Sequence, residues 1–142
     1  WVRGADGSLA GTVQCLGQGQ PLEWGINMTA GKRTDTAAAN GTSTDNTAAS
    51  SFGLAAYLQV FAFTGTSVTV AIQESSDDAA ADPYAAVTGG AFAAATGITF
   101  ERIQTSLTLA VERYLRVVTT GTFTNAVFAV VIVRYEAANQ GL

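Results

Sequence analysis

The strongest constraint on the fold is the stretch from Ala55 to Ser75, in which two apolar runs flank Thr64-Gly65-Thr66-Ser67. Side chains in both runs alternate with a period of two, which is typical of β-strands that bury one face. A short connection that contains Gly predicts that the two runs form a β-hairpin. Because a lone hairpin is marginal in water, further strands must cover its apolar face. That face contains Leu58, Val60, Ala62, Val68, Val70 and Ile72.

Residues 114–119 and 126–134 are the obvious further strands. The second of them is apolar on both faces, with Ala129 and three valines on one face and Phe128, Val130 and Ile132 on the other. This composition is typical of a strand that is covered on both sides. Similar runs recur about every ten residues, separated by turns that contain Gly and Thr. We therefore predict an all-β fold, an antiparallel β-sandwich of immunoglobulin-like or jelly-roll type.

Composition divides the chain into three parts. Residues 1–28 contain two short strand-like runs, which predict a hairpin whose sheet is completed by preceding residues or by another copy of the chain. Residues 29–51 are almost wholly Ala, Thr, Ser, Asn, Asp and Gly and predict an extended linker, with an edge strand over 42–47 as the alternative. Residues 52–142 form the predicted sandwich. The sequence opens at Trp1, and we expect it to be the later part of a longer polypeptide.

Composition also argues against several classes of function. The 142 residues include no His, which is the commonest general base and transition-metal ligand, so we predict no enzyme, metal site or cofactor. The net charge is −4 and the seven Lys and Arg residues are scattered, which disfavours nucleic acid as a partner. No run approaches the roughly 18 to 20 apolar residues that a membrane helix needs, so we predict no membrane partner.

Acidic residues offer two alternatives that we weigh and disfavour. The three aspartates of residues 77–82 could bind calcium, but their spacing matches no EF-hand, and a solvated loop is favoured. Glu101 and Glu112 could form the carboxylate pair of a glycosidase. Each is followed by an Arg, however, and we favour a solvent-facing ion pair between each Glu and the Arg that follows it.

Aromatic side chains offer a further alternative. Tyr57, Phe61, Phe63 and Tyr114 are predicted to be exposed on strand faces, where an aromatic row can stack on sugars. The favoured interpretation is that Phe61 and Phe63 pack under a loop or against a neighbouring subunit.

Four runs of the sequence carry a family resemblance: TAGKRTDTAAANGTS, AAYLQVFAFTGTSVTVAIQESSDD, FERIQT and RYLRVVTTGTFTNAVFAVVIVRY. Together they resemble the C-terminal half of tail tube (major tail) proteins of long-tailed, non-contractile bacteriophages. In that family a tube-forming β-domain is followed by an immunoglobulin-like or related sandwich. The resemblance implies that residues 1–28 end a tube domain and that residues 52–142 are the outward module. Related sandwiches also decorate phage capsids and tail fibres.

The resemblance implies a structural virion protein, a subunit that self-assembles into the stacked rings of a tail tube and contacts other virion proteins. A capsid decoration or cement protein on the capsid surface is one alternative, and a carbohydrate-binding module with weak contact to host-surface glycans is another. We expect Trp24→Ala to weaken assembly more than it weakens folding. The candidates for self-association are Leu22, Trp24, Ile26, Phe61 and Phe63.

Overall fold

The computed structural model describes residues 23–136 and two short strands before them, β1 (Val2–Arg3) and β2 (Leu9–Ala10), which pair antiparallel. The other eight described strands form one curled antiparallel sheet. The described residues contain no helix, so the predicted all-β fold is confirmed, while the sandwich stays a prediction. These strands are β3 (Ile26–Asn27), β4 (Arg33–Asp35), β5 (Ala39–Asn40), β6 (Thr44–Asp45), β7 (Leu54–Ser75), β8 (Ala85–Ala91), β9 (Thr99–Gln104) and β10 (Tyr114–Arg134).

The predicted central hairpin is wrong, because both of its arms belong to one continuous strand. This strand, β7, is 22 residues long and pairs with the 21-residue β10 along its whole length. The register runs from Leu54 opposite Arg134 to Ser75 opposite Tyr114. The predicted turn at 64–67 therefore lies inside β7, beside residues 121–125 of β10.

Two glycines bend the strands at this place. Gly65 lies opposite Phe123 and has a φ of 147°, and Gly121 lies opposite Val68 and has a φ of 118°. Residues other than glycine rarely adopt such φ angles. A Cβ on Gly65 would also lie 2.4 Å from the Cα of Phe123. The ladder is irregular here, between Thr122 and Phe123 and again before Asn125. The glycines thus mark bulges that bend a pair of strands, rather than turns that end them.

The bend divides the sheet into two halves. Half-sheet A contains residues 54–63 of β7 and 126–134 of β10, together with β3, β4 and β9. Half-sheet B contains residues 68–75 of β7 and 114–122 of β10, together with β5, β6 and β8.

The core lies between the inner faces of the two half-sheets. Leu58 and Phe128 of half-sheet A share one buried hydrophobic cluster with Ile72 and Val117 of half-sheet B. Three of these four side chains have no exposed surface, and Leu58 is 3% exposed. Because the same cluster includes both halves, the curled sheet covers its own apolar face.

The segment 29–51, predicted as a linker, is an interrupted edge of the sheet. Its strands β4, β5 and β6 pair in turn with β10, and β6 falls within the alternative edge strand over 42–47. Most of the hairpin predicted within residues 1–28 lies outside the described residues. Of its described residues, Ile26 pairs with Ile132 of β10, and Leu9 pairs with Arg3. The long β10 offers hydrogen-bonding partners that composition alone did not reveal.

A buried ion pair fixes this edge segment to the sheet. Arg33 and Asp35, two residues apart on one face of β4, form two hydrogen bonds of 2.8 and 2.7 Å between guanidinium and carboxylate. Arg33 Nη1 also donates to the carbonyl of Val117 over 2.8 Å, and the hydroxyl of Thr119 donates to Asp35 Oδ2 over 2.6 Å. The guanidinium lies 5.5 Å from the ring centroid of Phe128. These contacts connect the edge to both half-sheets.

Candidate interaction surface

Large apolar side chains are exposed in one region of the described structure. Ile26 lies on β3 and Trp24 lies two residues before it, Phe100 lies on β9 and Ile98 lies just before that strand, and Phe61 lies on β7. Trp24 is 86% exposed and Phe100 is 81% exposed. Burying one such side chain contributes about 1.5 to 3 kcal/mol. The concentration of these residues marks half-sheet A as a surface suited to contact with another molecule.

The outer face of half-sheet A is also apolar. Val127, Ala129 and Val131 of β10 are only half-buried there. Ala129 pairs with Gln59, and Val131 pairs with Tyr57. A shallow depression lies over Ala129 and Val131 and reaches Phe100 on β9. The sequence predicts that β10 is covered on both faces, and the described residues leave this outer face partly open.

At one end of this face, Glu23 joins a network of polar side chains. The hydroxyl of Tyr57 donates to Glu23 Oε2 and accepts a hydrogen bond of 2.9 Å from Arg102 Nε. Arg102 Nη2 lies 3.7 Å from Glu23 Oε1 and donates to the hydroxyl of Tyr135 over 3.3 Å. Close by, a Cβ on Gly25 would lie 2.3 Å from Val131 Cγ1. Residues 23–25 therefore cross the outer face in close contact with β10.

The network changes the acidity of its members. Burial, followed by the hydrogen bond to Glu23, raises the pKa of Tyr57. Burial and the nearby Glu23 charge also raise the pKa of Tyr135. The hydrogen bond with Tyr57 raises the pKa of Arg102. All three groups therefore keep their protons around neutral pH, and the network serves to hold the segment that begins at Glu23.

The sequence-predicted contact residues have different environments. Ile26 is exposed on β3, Trp24 is exposed in the segment before β3, and Phe61 is exposed on the outer face. The ammonium of Lys32 lies 5.5 Å from the centroid of the Phe61 ring. Phe63 instead packs against the core. Leu22 lies outside the described residues.

Sequence reasoning missed Ile98 and Phe100 as surface residues. Phe100 lies on β9, and Ile98 lies just before that strand. Polar residues occur on both faces of β9, with Arg102 beside Phe100 on one face and Glu101 on the other, so the sequence alone carries no signal of which face is exposed.

The acidic residues take structural positions. In the loop after β7, Asp77 Oδ2 accepts the backbone N–H of Ala81 over 2.7 Å, and Asp82 Oδ2 accepts that of Ser76 over 2.9 Å. Within residues 23–136 no group of three or more metal-binding side chains occurs. The loop carboxylates thus stabilise their own backbone.

The ion pairs predicted between sequence neighbours are wrong. Arg102 contacts Glu23, while Glu101 accepts the backbone N–H of Ala93 over 2.9 Å. Arg113 pairs with Asp45 of β6 over 2.6 Å. Glu101 and Arg102 are adjacent on β9 and point to opposite faces, so Arg102 reaches an acid from another part of the chain.

Two further observations concern the chain as a whole. Among the residues that the structure describes, no helix has the length and apolar character needed to cross a membrane. Comparisons with protein-family models, curated proteins and solved structures found no match.

Proposed function

We propose that this chain is a structural subunit that assembles with other copies of itself. The observation that carries the proposal is the location of the exposed large hydrophobic side chains within residues 23–136, which lie on or beside half-sheet A. The open outer face of β10 supports it, because Val127, Ala129 and Val131 together form an apolar strip beside Phe61 and Phe100. Apolar surface of this kind is typical of sites where proteins contact one another.

The sequence resemblance leads us to propose where the assembly occurs. The runs that resemble tail tube proteins support a subunit of the tail tube of a long-tailed, non-contractile bacteriophage, located in the virion tail and in contact with other virion proteins. The edge-and-face arrangement is equally suited to a subunit that cements a capsid surface, which is the alternative location.

Electron microscopy of virions that contain this chain tests the location. Antibody fragments against an exposed residue of half-sheet B, such as Thr120, would label the chain without covering half-sheet A. Regular labelling along the tail supports the tail tube proposal. Labelling at the symmetry axes of the capsid would overturn it in favour of a decoration protein.

Sedimentation velocity of the purified chain tests self-association directly. We expect the mean mass to rise with concentration above that of the 14.6 kDa chain. A monomer over the whole accessible concentration range would contradict assembly through half-sheet A.

Glycan binding is a second candidate because an exposed aromatic ring lies near a guanidinium. Phe100 and Arg102 share the outer face of β9, and Tyr57 donates and accepts hydrogen bonds beside them. Aromatic rings stack on sugar faces, and polar groups orient the hydroxyls. Titration with host-surface glycans, followed by the tryptophan fluorescence and by NMR of the Phe100 ring, tests this candidate. Absence of a saturable change at Phe100 would exclude it.

A further inference from the structure

Trp24 lies between two residues that are held against the sheet. The Glu23 side chain is 17% exposed, and its carboxylate accepts a hydrogen bond from Tyr57 and lies 3.7 Å from Arg102. On the other side, a Cβ on Gly25 would lie 3.0 Å from a carbonyl oxygen of β10, so the backbone there is in close contact with that strand. Trp24 itself is 86% exposed. A segment that is fixed on both sides of one residue leaves that residue few orientations.

We propose that Glu23 is a positioning residue for self-association, which holds Trp24 in the orientation that contacts a second copy. This inference rests on the proposed self-assembly and names the residue that prepares part of its contact surface. Trp is one of the residues that contribute most to the stability of protein interfaces. A side chain that is ordered before binding loses less conformational entropy when the interface forms.

The groups around the Glu23 carboxylate come from three separate parts of the sheet. Tyr57 lies on β7, Arg102 lies on β9, and Tyr135 directly follows β10. The Tyr135 hydroxyl lies 3.5 Å from Glu23 Oε1. Because β7 pairs with both β9 and β10, the three groups have a spacing that the sheet maintains. The position of the carboxylate, and of the residue that follows it, is thus determined by the sheet.

A purely protective role for residues 23–25 is disfavoured by the exposure of Trp24. Gly25 packs directly against Val131, which belongs to the apolar strip of half-sheet A. A segment that shielded this strip would place its largest apolar side chain on it, because burial of apolar area is favourable. Trp24 instead remains exposed to solvent. The segment therefore presents the indole rather than covering the sheet with it.

Single and double substitutions test this role. Glu23→Ala removes the carboxylate, Trp24→Ala removes the indole, and the double variant removes both. Glu101→Ala is the matched control, because Glu101 points to the opposite face of β9 from Arg102 and accepts the backbone N–H of Ala93. Sedimentation velocity measures the association constant of each variant, and thermal melts confirm that each is folded.

Time-resolved fluorescence anisotropy measures the mobility of Trp24 directly. The sequence contains two Trp residues, so the measurement uses a Trp1→Phe background. Concentrations below those at which copies associate separate local order from assembly. We expect the indole to rotate with the whole protein in the parent and in Glu101→Ala, and to gain a fast local motion in Glu23→Ala. An unchanged anisotropy decay in Glu23→Ala would overturn the anchoring role of Glu23.

We expect Glu23→Ala to weaken association about tenfold, the fold-change that corresponds to ordering the backbone of roughly one residue. Glu101→Ala should associate like the parent. Because Glu23 acts through Trp24, the double variant should associate no more weakly than Trp24→Ala alone. Additive losses, or an association constant that either single variant leaves unchanged, would overturn the positioning role and leave self-assembly standing. A monomeric parent would overturn both.

Discussion

The two half-sheets have similar inner faces and very different outer faces. Both inner faces consist of aliphatic and aromatic residues that share one core. On the outer face of half-sheet B, Gln73 accepts hydrogen bonds of 2.9 and 2.7 Å from Arg116, whose guanidinium lies 4.0 Å from the ring centroid of Tyr84. The outer face of half-sheet A instead has Ala129 and Val131 at the corresponding central positions. The same long pair of strands, β7 and β10, thus has an outer face with paired polar side chains in half-sheet B and an apolar outer face in half-sheet A.

This difference separates the requirements of folding from those of assembly. The shared core is formed by the inner faces alone. The apolar residues on the outer face of half-sheet A are therefore not required for folding and are available for association. Substitutions on the inner side or at the bend should therefore reduce stability, while substitutions on the outer face of half-sheet A should reduce association.

The largest effect is expected for Asp35→Ala at the contact that joins the edge segment to both half-sheets. Removing the carboxylate leaves the Arg33 guanidinium, 14% exposed, without its charged partner. Breaking such a buried pair costs about 3 to 5 kcal/mol. Urea unfolding measures the loss. Asp45→Ala removes a carboxylate from the exposed pair with Arg113 and is the control, and an equal loss in both variants would contradict the importance of burial.

A smaller loss is expected for Gly65→Ala, which tests the bend between the halves. The φ of 147° and the predicted approach of 2.4 Å to Phe123 Cα both oppose a Cβ at this position. Backbone strain of this kind costs about 1 to 3 kcal/mol. Gly97→Ala is the control, because no atom lies within 4 Å of the added Cβ. Equal unfolding midpoints for the two variants would show that the strands do not bend at Gly65.

Ala129→Glu and Ala71→Glu compare the two outer faces directly, since both alanines are half-buried and lie on central strands. A carboxylate at Ala129 lies in the apolar strip of half-sheet A, so we expect association to weaken at least about tenfold with little change in stability. Ala71→Glu changes half-sheet B and should associate like the parent. Sedimentation velocity at matched concentrations measures both. Equal weakening would remove the functional distinction between the faces.

The smallest effect concerns the exposed edge of half-sheet B. The hydrogen bond from Arg113, followed by that from the Thr47 N–H, lowers the pKa of Asp45 from 3.8 to about 2. A lowered folded-state pKa favours the folded state above the unfolded-state pKa, and this contribution disappears as pH falls from about 3.8 towards 2. In Arg113→Gln, the Asp45 pKa should rise towards 3.8 in an NMR titration. An unchanged midpoint would show that the pair does not form in solution.

The sequence predicts the all-β fold because alternation is a local property, visible in Leu58, Val60, Val68 and Val70 alike. It does not distinguish a turn from a bend at Gly65, since Thr-Gly-Thr suits both. The choice depends on a partner strand that begins at Tyr114, far along the chain. Similarly, the polar composition of 29–51 hides an edge strand, because its pairing is decided by β10 and by the burial of Arg33 with Asp35.

The sequence likewise predicts only part of the candidate interaction surface. Trp24, Ile26 and Phe61 stand out as large apolar residues in short or polar surroundings, and the structure exposes them. Phe63 differs because the irregular register beside Phe61 turns it towards the core, opposite Ala126. Phe100 was missed because a six-residue strand contains too little alternation to show which face is buried.

The pairing of β10 with five other strands also determines when the protein can fold during synthesis. β3, β4, β5, β6 and β7 all precede β10 in the chain, and all of them use it as a partner. Contacts between residues far apart in sequence form slowly, because long loops must close first. On the ribosome, residues 26–75 therefore emerge with their main partner still unsynthesised. The nascent chain exposes its apolar strands until Arg134 leaves the exit tunnel, and the sheet is completed only after that point.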